Sequence, residues 1–111
     1  MTGNEYQGLA ARTINKSLTL DEQRQHALYC LAGEVGELLS LYQKEFQGHG
    51  KPDREHLIKE CGDVAWALAE FLTSQGMSFD DMLEMNIDKL RKRYPEGFDA
   101  EHSLHRVKGD V

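Results

Sequence analysis

The sequence predicts an all-α domain of the four-helix-bundle type. Apolar residues recur with the helical period along most of the 111 residues, helix-start signals precede the periodic segments, and the only two prolines, Pro52 and Pro95, fall where a periodic segment stops. No low-complexity stretch and no repeat of solenoid length interrupts this pattern.

A first, short helix is expected from Glu5 to Lys16, with Tyr6, Leu9, Ala10 and Ile14 on its apolar side. The second opens at Thr19-Leu-Asp-Glu22, a capping box in which Thr19 and Glu22 satisfy each other's free backbone donors. Leu28, Leu31, Val35, Leu38, Leu39, Tyr42 and Phe46 then form its main stripe, and Ala27, Cys30, Glu34, Glu37 and Leu41 form another beside it. A helix with two such faces is covered on more than one side. "QGHGKP" at 47–52 breaks the pattern and reads as a flexible connector rather than a lid. Asp53 is an N-cap for the third helix, whose core stripe is Leu57, Cys61, Val64, Leu68, Phe71 and Leu72, with Gly76 as its stop. Ser78 to Asp81 opens the fourth helix, with Asp81 in the role usually taken by Glu or Gln. Leu83, Ile87, Leu90 and Tyr94 line one face, and Met82, Asn86, Lys89 and Arg93 the next. The tail after about residue 96 is polar with a few apolar anchors and either folds onto a neighbour or stays loose.

This length suits one domain, 1–111, whose modest core would gain from association. The net charge of −6 argues against a nucleic-acid backbone as partner. The N-terminus lacks an apolar core of signal-peptide length, and no run of about 18 apolar residues is present to span a membrane. Cys30 and Cys61 form no C-x-x-C and are expected to be small buried thiols in a reducing, cytoplasmic setting.

Four carboxyl groups carry the chemistry. Glu34 and Glu37 in "GEVGEL", and Glu60 and Asp63 in "KECGDV", each share a helix face at i, i+3 among apolar neighbours. Packed antiparallel across a short connection, the two helices bring both pairs together, where unneutralised acids repel. A hard divalent cation such as Mg²⁺ or Mn²⁺ removes that repulsion and shares its shell with phosphate oxygens. Lys89 and Arg93, with Asn86 on the same face, supply the complementary charge of a phosphoryl-transfer site, and one carboxylate can activate a water. Di-iron bundles need Glu-x-x-His, which is absent, and there is no P-loop.

E-x-x-E followed by E-x-x-D, together with "NIDKLRKRYPEGF", resembles the MazG-like all-α nucleoside triphosphate pyrophosphohydrolases. "EYQGLAARTIN" and "GFDAEHSLHR" are similar to short stand-alone members, so the resemblance covers most of the chain. It implies Mg²⁺-dependent hydrolysis of a (d)NTP to the monophosphate and pyrophosphate. Glu34, Glu37, Glu60 and Asp63 would hold metal, Lys89 and Arg93 would engage the phosphates, and Asn86 would orient a phosphate or a water. It further implies a homodimer or homotetramer in which dimerisation completes the bundle. No nucleobase pocket aligns, so base and sugar preference stay open.

Blander readings exist for each residue. A charged helix face is commonly just solvated, and a cationic last turn favours the helix dipole with any of its four cations. The duplicated acid spacing and its apolar flanks favour the functional reading. Trp66, Tyr29 and Phe46 are assigned to core rather than to base stacking, and His26 and His49 to the surface. The alternatives to an enzyme are a non-catalytic metal- or nucleotide-binding helical oligomer and a purely structural bundle.

Overall fold

The computed structural model describes residues 1–111 and is all-helical: α1 (Gly3–Ala11), α2 (Leu20–Phe46), α3 (Arg54–Ser74), α4 (Phe79–Arg93) and α5 (Ala100–Leu104). The helix starts follow the caps. Thr19 Oγ1 accepts from the Glu22 N–H at 3.2 Å while the Thr19 N–H donates to Glu22 Oε1 at 2.9 Å, completing the capping box. These bonds hold the Glu22 carboxyl below its ordinary range, the backbone donor contributing most. Asp53 and Ser78 cap α3 and α4 in the same way, although only the Ser78 half of the expected reciprocal pair with Asp81 forms.

Two glycines end the long helices. At α3 the Met77 N–H reaches the Leu72 carbonyl and the Gly76 N–H reaches that of Thr73. At α2 the His49 N–H bonds to Lys44 and the Gly48 N–H to Glu45. Both are Schellman closures whose turning residue needs a positive φ, +66° at Gly76 and +89° at Gly48. The "QGHGKP" connector therefore begins as a defined cap. The first helix is shorter than expected, stopping at Ala11, and Ile14 buries from the turn that follows it. Residues of the tail form α5, which sequence periodicity does not reveal.

α2 and α3 pair antiparallel, since His26 meets Glu70 while Glu34 lies beside Glu60 and Asp63. α1 crosses α3 and also receives α4. Asn4 Oδ1 accepts from the Ser78 hydroxyl at 2.7 Å and the Asp80 N–H at 2.9 Å; Gln7 accepts from the Phe79 N–H at 2.7 Å and donates to Thr73 and Met77. These side chains staple the α3–α4 turn to α1. Tyr6 meets the Phe79 ring edge-on.

Little of the molecule is interior. Eight residues of 111 are buried, three of them polar, and the radius of gyration is 17.2 Å against about 13 Å for a globular domain of this size. The inward side of α2 is the stripe containing Ala27, fully buried against the α3 side containing Ala67. The expected main stripe lies largely outside: Leu39 is 65 %, Tyr42 52 % and Phe46 92 % exposed, with Leu28 and Val35 beside them. The physical reason is that a helix with two apolar faces can turn only one of them against α3. Tyr29 is likewise exposed rather than core, and Cys61 is exposed rather than buried. No helix is long and apolar enough to cross a membrane.

The α1–α4 junction leaves no room for a side chain at Gly3, where a Cβ would lie 2.6 Å from Asp80 Oδ1 and 2.8 Å from the Phe79 ring. Gly3→Ala should destabilise the fold by about 1–3 kcal/mol through overpacking. A lower denaturation midpoint with an unchanged m-value would show it.

Candidate functional site

The site is built on the α2–α3 seam. Ala27 and Ala67 have no exposed surface, and their small side chains let the helix backbones approach. Two turns further along α2, and one turn before Ala67 on α3, the seam turns acidic. One carboxyl oxygen each from Glu34, Glu60 and Asp63 lie within 4.8 Å of one another. Glu34 and Glu60 are half-buried and Asp63 is exposed. Glu60 Oε1 bonds to His56 Nε2 at 3.1 Å, one turn earlier on α3, while its Oε2 is buried without a partner.

Burial pushes the Glu34 carboxyl above its ordinary range, and the neighbouring Asp63, Glu60 and Glu37 push it further. The cluster thus has more negative charge than the chain neutralises. Glu37, also on α2, stays exposed and contributes charge without joining the group of three. Three convergent carboxyl groups, an orphaned buried oxygen and no thiol among the donors are a set that fits a hard divalent cation.

Tyr6 borders the cluster. Its hydroxyl donates to the Gly62 carbonyl at 3.4 Å, and burial followed by the Asp63 charge pushes the phenol above its ordinary range. Nothing in the sequence ties residue 6 to residue 63; only the crossing of α1 over α3 brings them together.

Further along the seam lies a second polar station. Glu70, 1 % exposed, bonds through Oε1 to His26 Nδ1 at 2.7 Å, and its Oε2 has no partner. His26 is therefore more than a surface residue. It also stands 3.5 Å from Cys30 Sγ and edge-on to Trp66, whose Nε1–H donates to Thr13 at 2.7 Å. Burial, then Glu70 and Glu34, push the Cys30 thiol up. The signal available for Glu70 was its spacing: Glu60, Asp63, Ala67 and Glu70 follow one helical line.

Asn86, Lys89 and Arg93 occupy a different place. Asn86 and Lys89 line a groove of about 1120 Å³ between α4 and residues 107–111, and none of the four acids borders it. Arg93 forks onto Asp110, with Nε and Nη2 each 2.7 Å from a carboxylate oxygen. The α3–α4 turn carries α4 onto α1, so within one chain the cationic face and the acidic cluster are separate.

No curated protein and no solved structure matches the chain. Residues 22–98, which include the acidic cluster and all of α4, match the family described as the MazG nucleotide pyrophosphohydrolase domain. With more than half its length covered by that match, the chain belongs to the MazG family.

Proposed function

We propose that residues 1–111 act as one domain that hydrolyses a (d)NTP to the monophosphate and pyrophosphate in the cytoplasm, using Mg²⁺ with Mn²⁺ as a substitute. The acid trio carries this reading, because a half-buried cluster with surplus negative charge and an orphaned oxygen is costly unless a cation is bound. Glu34, Glu60 and Asp63 would hold the ion, with Glu37 completing the set from its exposed position beside them. When bound, the ion supplies charge neutralisation and polarisation of phosphoryl oxygens.

The remaining work falls to side chains. His56 orients Glu60 through the bond to Oε1. A carboxylate of the cluster accepts the proton of the attacking water. Lys89 and Arg93 offset the charge that builds on the departing pyrophosphate, and Asn86 orients it.

These cations would come from the α4 of a second copy, in a homodimer or homotetramer that completes a four-helix bundle. The exposed stripe Leu28, Val35, Leu39, Tyr42 and Phe46 on α2, with Leu83, Ile87 and Leu90 on α4, is the surface such a partner would cover. The separation of the two charged faces within one chain also suits a second reading, a metal- or nucleotide-binding oligomer without turnover. Pyrophosphate release from a panel of (d)NTPs, with and without Mg²⁺, separates the two.

Glu34→Ala and Asp63→Ala should each abolish pyrophosphate release while leaving far-ultraviolet circular dichroism unchanged; near-normal rates in either variant would refute the site. Leu39→Glu should yield monomers in sedimentation and lose turnover, whereas an unaltered sedimentation coefficient would remove this face from the assembly.

The raised Glu34 carboxyl gives a pH dependence of stability. A folded value above the unfolded 4.5 means the native state holds the proton more tightly. Its contribution is full below 4.5 and is lost as pH rises through the folded value. Glu34→Gln should therefore gain in melting temperature over the metal-free wild type as pH increases, and millimolar Mg²⁺ at neutral pH should stabilise the wild type more than the variant. A gap between the two that does not change with pH would contradict the assignment.

A further inference from the structure

The Arg93 guanidinium and the Asp110 carboxylate form the most completely buried ion pair of the chain, their side chains 11 % and 4 % exposed. Both Asp110 oxygens are used, on Nε and Nη2. This planar two-point contact is the one a guanidinium makes with a phosphate. The Arg93 hydrogen bond, then the charges of Arg93, Arg106 and Lys89, hold the Asp110 carboxyl below its ordinary range against the opposing effect of burial. Asp110 is thus bonded at two points to Arg93 and lines the same groove as Lys89.

Its delivery is built into the tail. The Asp110 N–H bonds back to the Val107 carbonyl at 3.1 Å, closing a turn through Gly109 at φ +90°. A side chain is strained at that φ, so the turn depends on glycine. Val107, Lys108, Gly109, Asp110 and Val111 form one wall of the groove whose other wall carries Asn86, Lys89 and Lys92. The anion also sits beside the C-terminal end of α4, where the helix dipole disfavours negative charge, so the cations rather than the helix hold it there.

Resting on the reading of Lys89 and Arg93 as phosphate-binding groups, we infer that residues 107–111 are an autoinhibitory strap in which Asp110 occupies the place of a phosphate. An incoming triphosphate, or the pyrophosphate product, reaches Arg93 only by displacing this carboxylate. The closed strap lowers apparent affinity in proportion to the fraction of molecules that are open.

The test compares the wild-type chain with Asp110→Asn, which keeps the side-chain shape and removes the charge, and with Gly109→Ala, which strains the turn but retains Asp110. Glu101→Gln removes one tail charge elsewhere and serves as control. Calorimetric titration with inorganic pyrophosphate should show about three- to tenfold tighter binding in Asp110→Asn. Gly109→Ala should move in the same direction, and Glu101→Gln should match the wild type. With (d)NTPs, KM should fall by a similar factor at unchanged kcat. Unchanged or weaker pyrophosphate binding in both strap variants overturns the inference, and weaker binding would make Asp110 a support for Arg93 rather than its cover. Should no (d)NTP be hydrolysed, the proposed activity fails, but the pyrophosphate titration still decides the strap because it needs no chemistry.

Discussion

The close approach of α2 and α3 over Ala27 and Ala67 is the constraint on which the rest of the structure depends. Two fully buried alanines mark the seam, and the carboxyl and imidazole groups along it meet at short range. At one station the result is a paired contact, with His26 on one oxygen of Glu70 while the other oxygen stays unpartnered. At the other it is a conflict, with Glu34, Glu60 and Asp63 within reach of one another. Like charges held this close oppose the pairing that creates them, so apolar packing elsewhere on the two helices must hold the acids together. Such a conflict within a stable element is what a binding site for a cation requires, because the ion converts repulsion into attraction.

The parts legible in the sequence were those governed by local rules. Thr19 with Glu22, Asp53 and Ser78 fixed three helix starts because a cap needs only its own first turn. Gly76 marked a stop because only glycine takes that φ cheaply. The grouping of Glu34 with Glu60 and Asp63 followed from i, i+3 spacing on two helices joined by a short connector. What the pattern left undecided was which of the two faces of α2 packs within the chain. Periodicity reports which residues share a side of α2, not which side turns inward, and the more apolar stripe through Leu39 and Phe46 proved to be the outer one. Glu70 escaped notice for a related reason: its meaning lies in His26, a partner on another helix that no spacing rule names.

The position of α4 was similarly beyond pattern reading. It is set by Asn4 and Gln7, two polar residues of a short helix far away in sequence, bonding to backbone and side-chain groups at the α3–α4 turn. Gly3 allows the approach by presenting no side chain. Antiparallel helices with short connections would by default place α4 against α2 and α3. Specific hydrogen bonds to α1 draw it elsewhere, and the extended shape and thin core follow from that displacement.

The two charged regions differ in how their electrostatic demand is met. The cationic end of α4 finds an answer inside the chain, since Asp110 bonds Arg93 at two points and draws on Lys89 and Arg106 as well. The acidic cluster finds none: its nearest hydrogen-bonding neighbour is His56, on one oxygen of Glu60, while the other oxygen is buried and unpaired. With a net charge of −6, the chain offers few spare cations for the purpose. Within the chain the cluster is therefore left short of positive charge. A divalent ion at the trio would leave the exposed apolar stripe of α2 still uncovered, and a second copy over that stripe would leave the trio still short of positive charge. The two needs are therefore separate: one lies in the α2–α3 seam and the other on the outer face of α2.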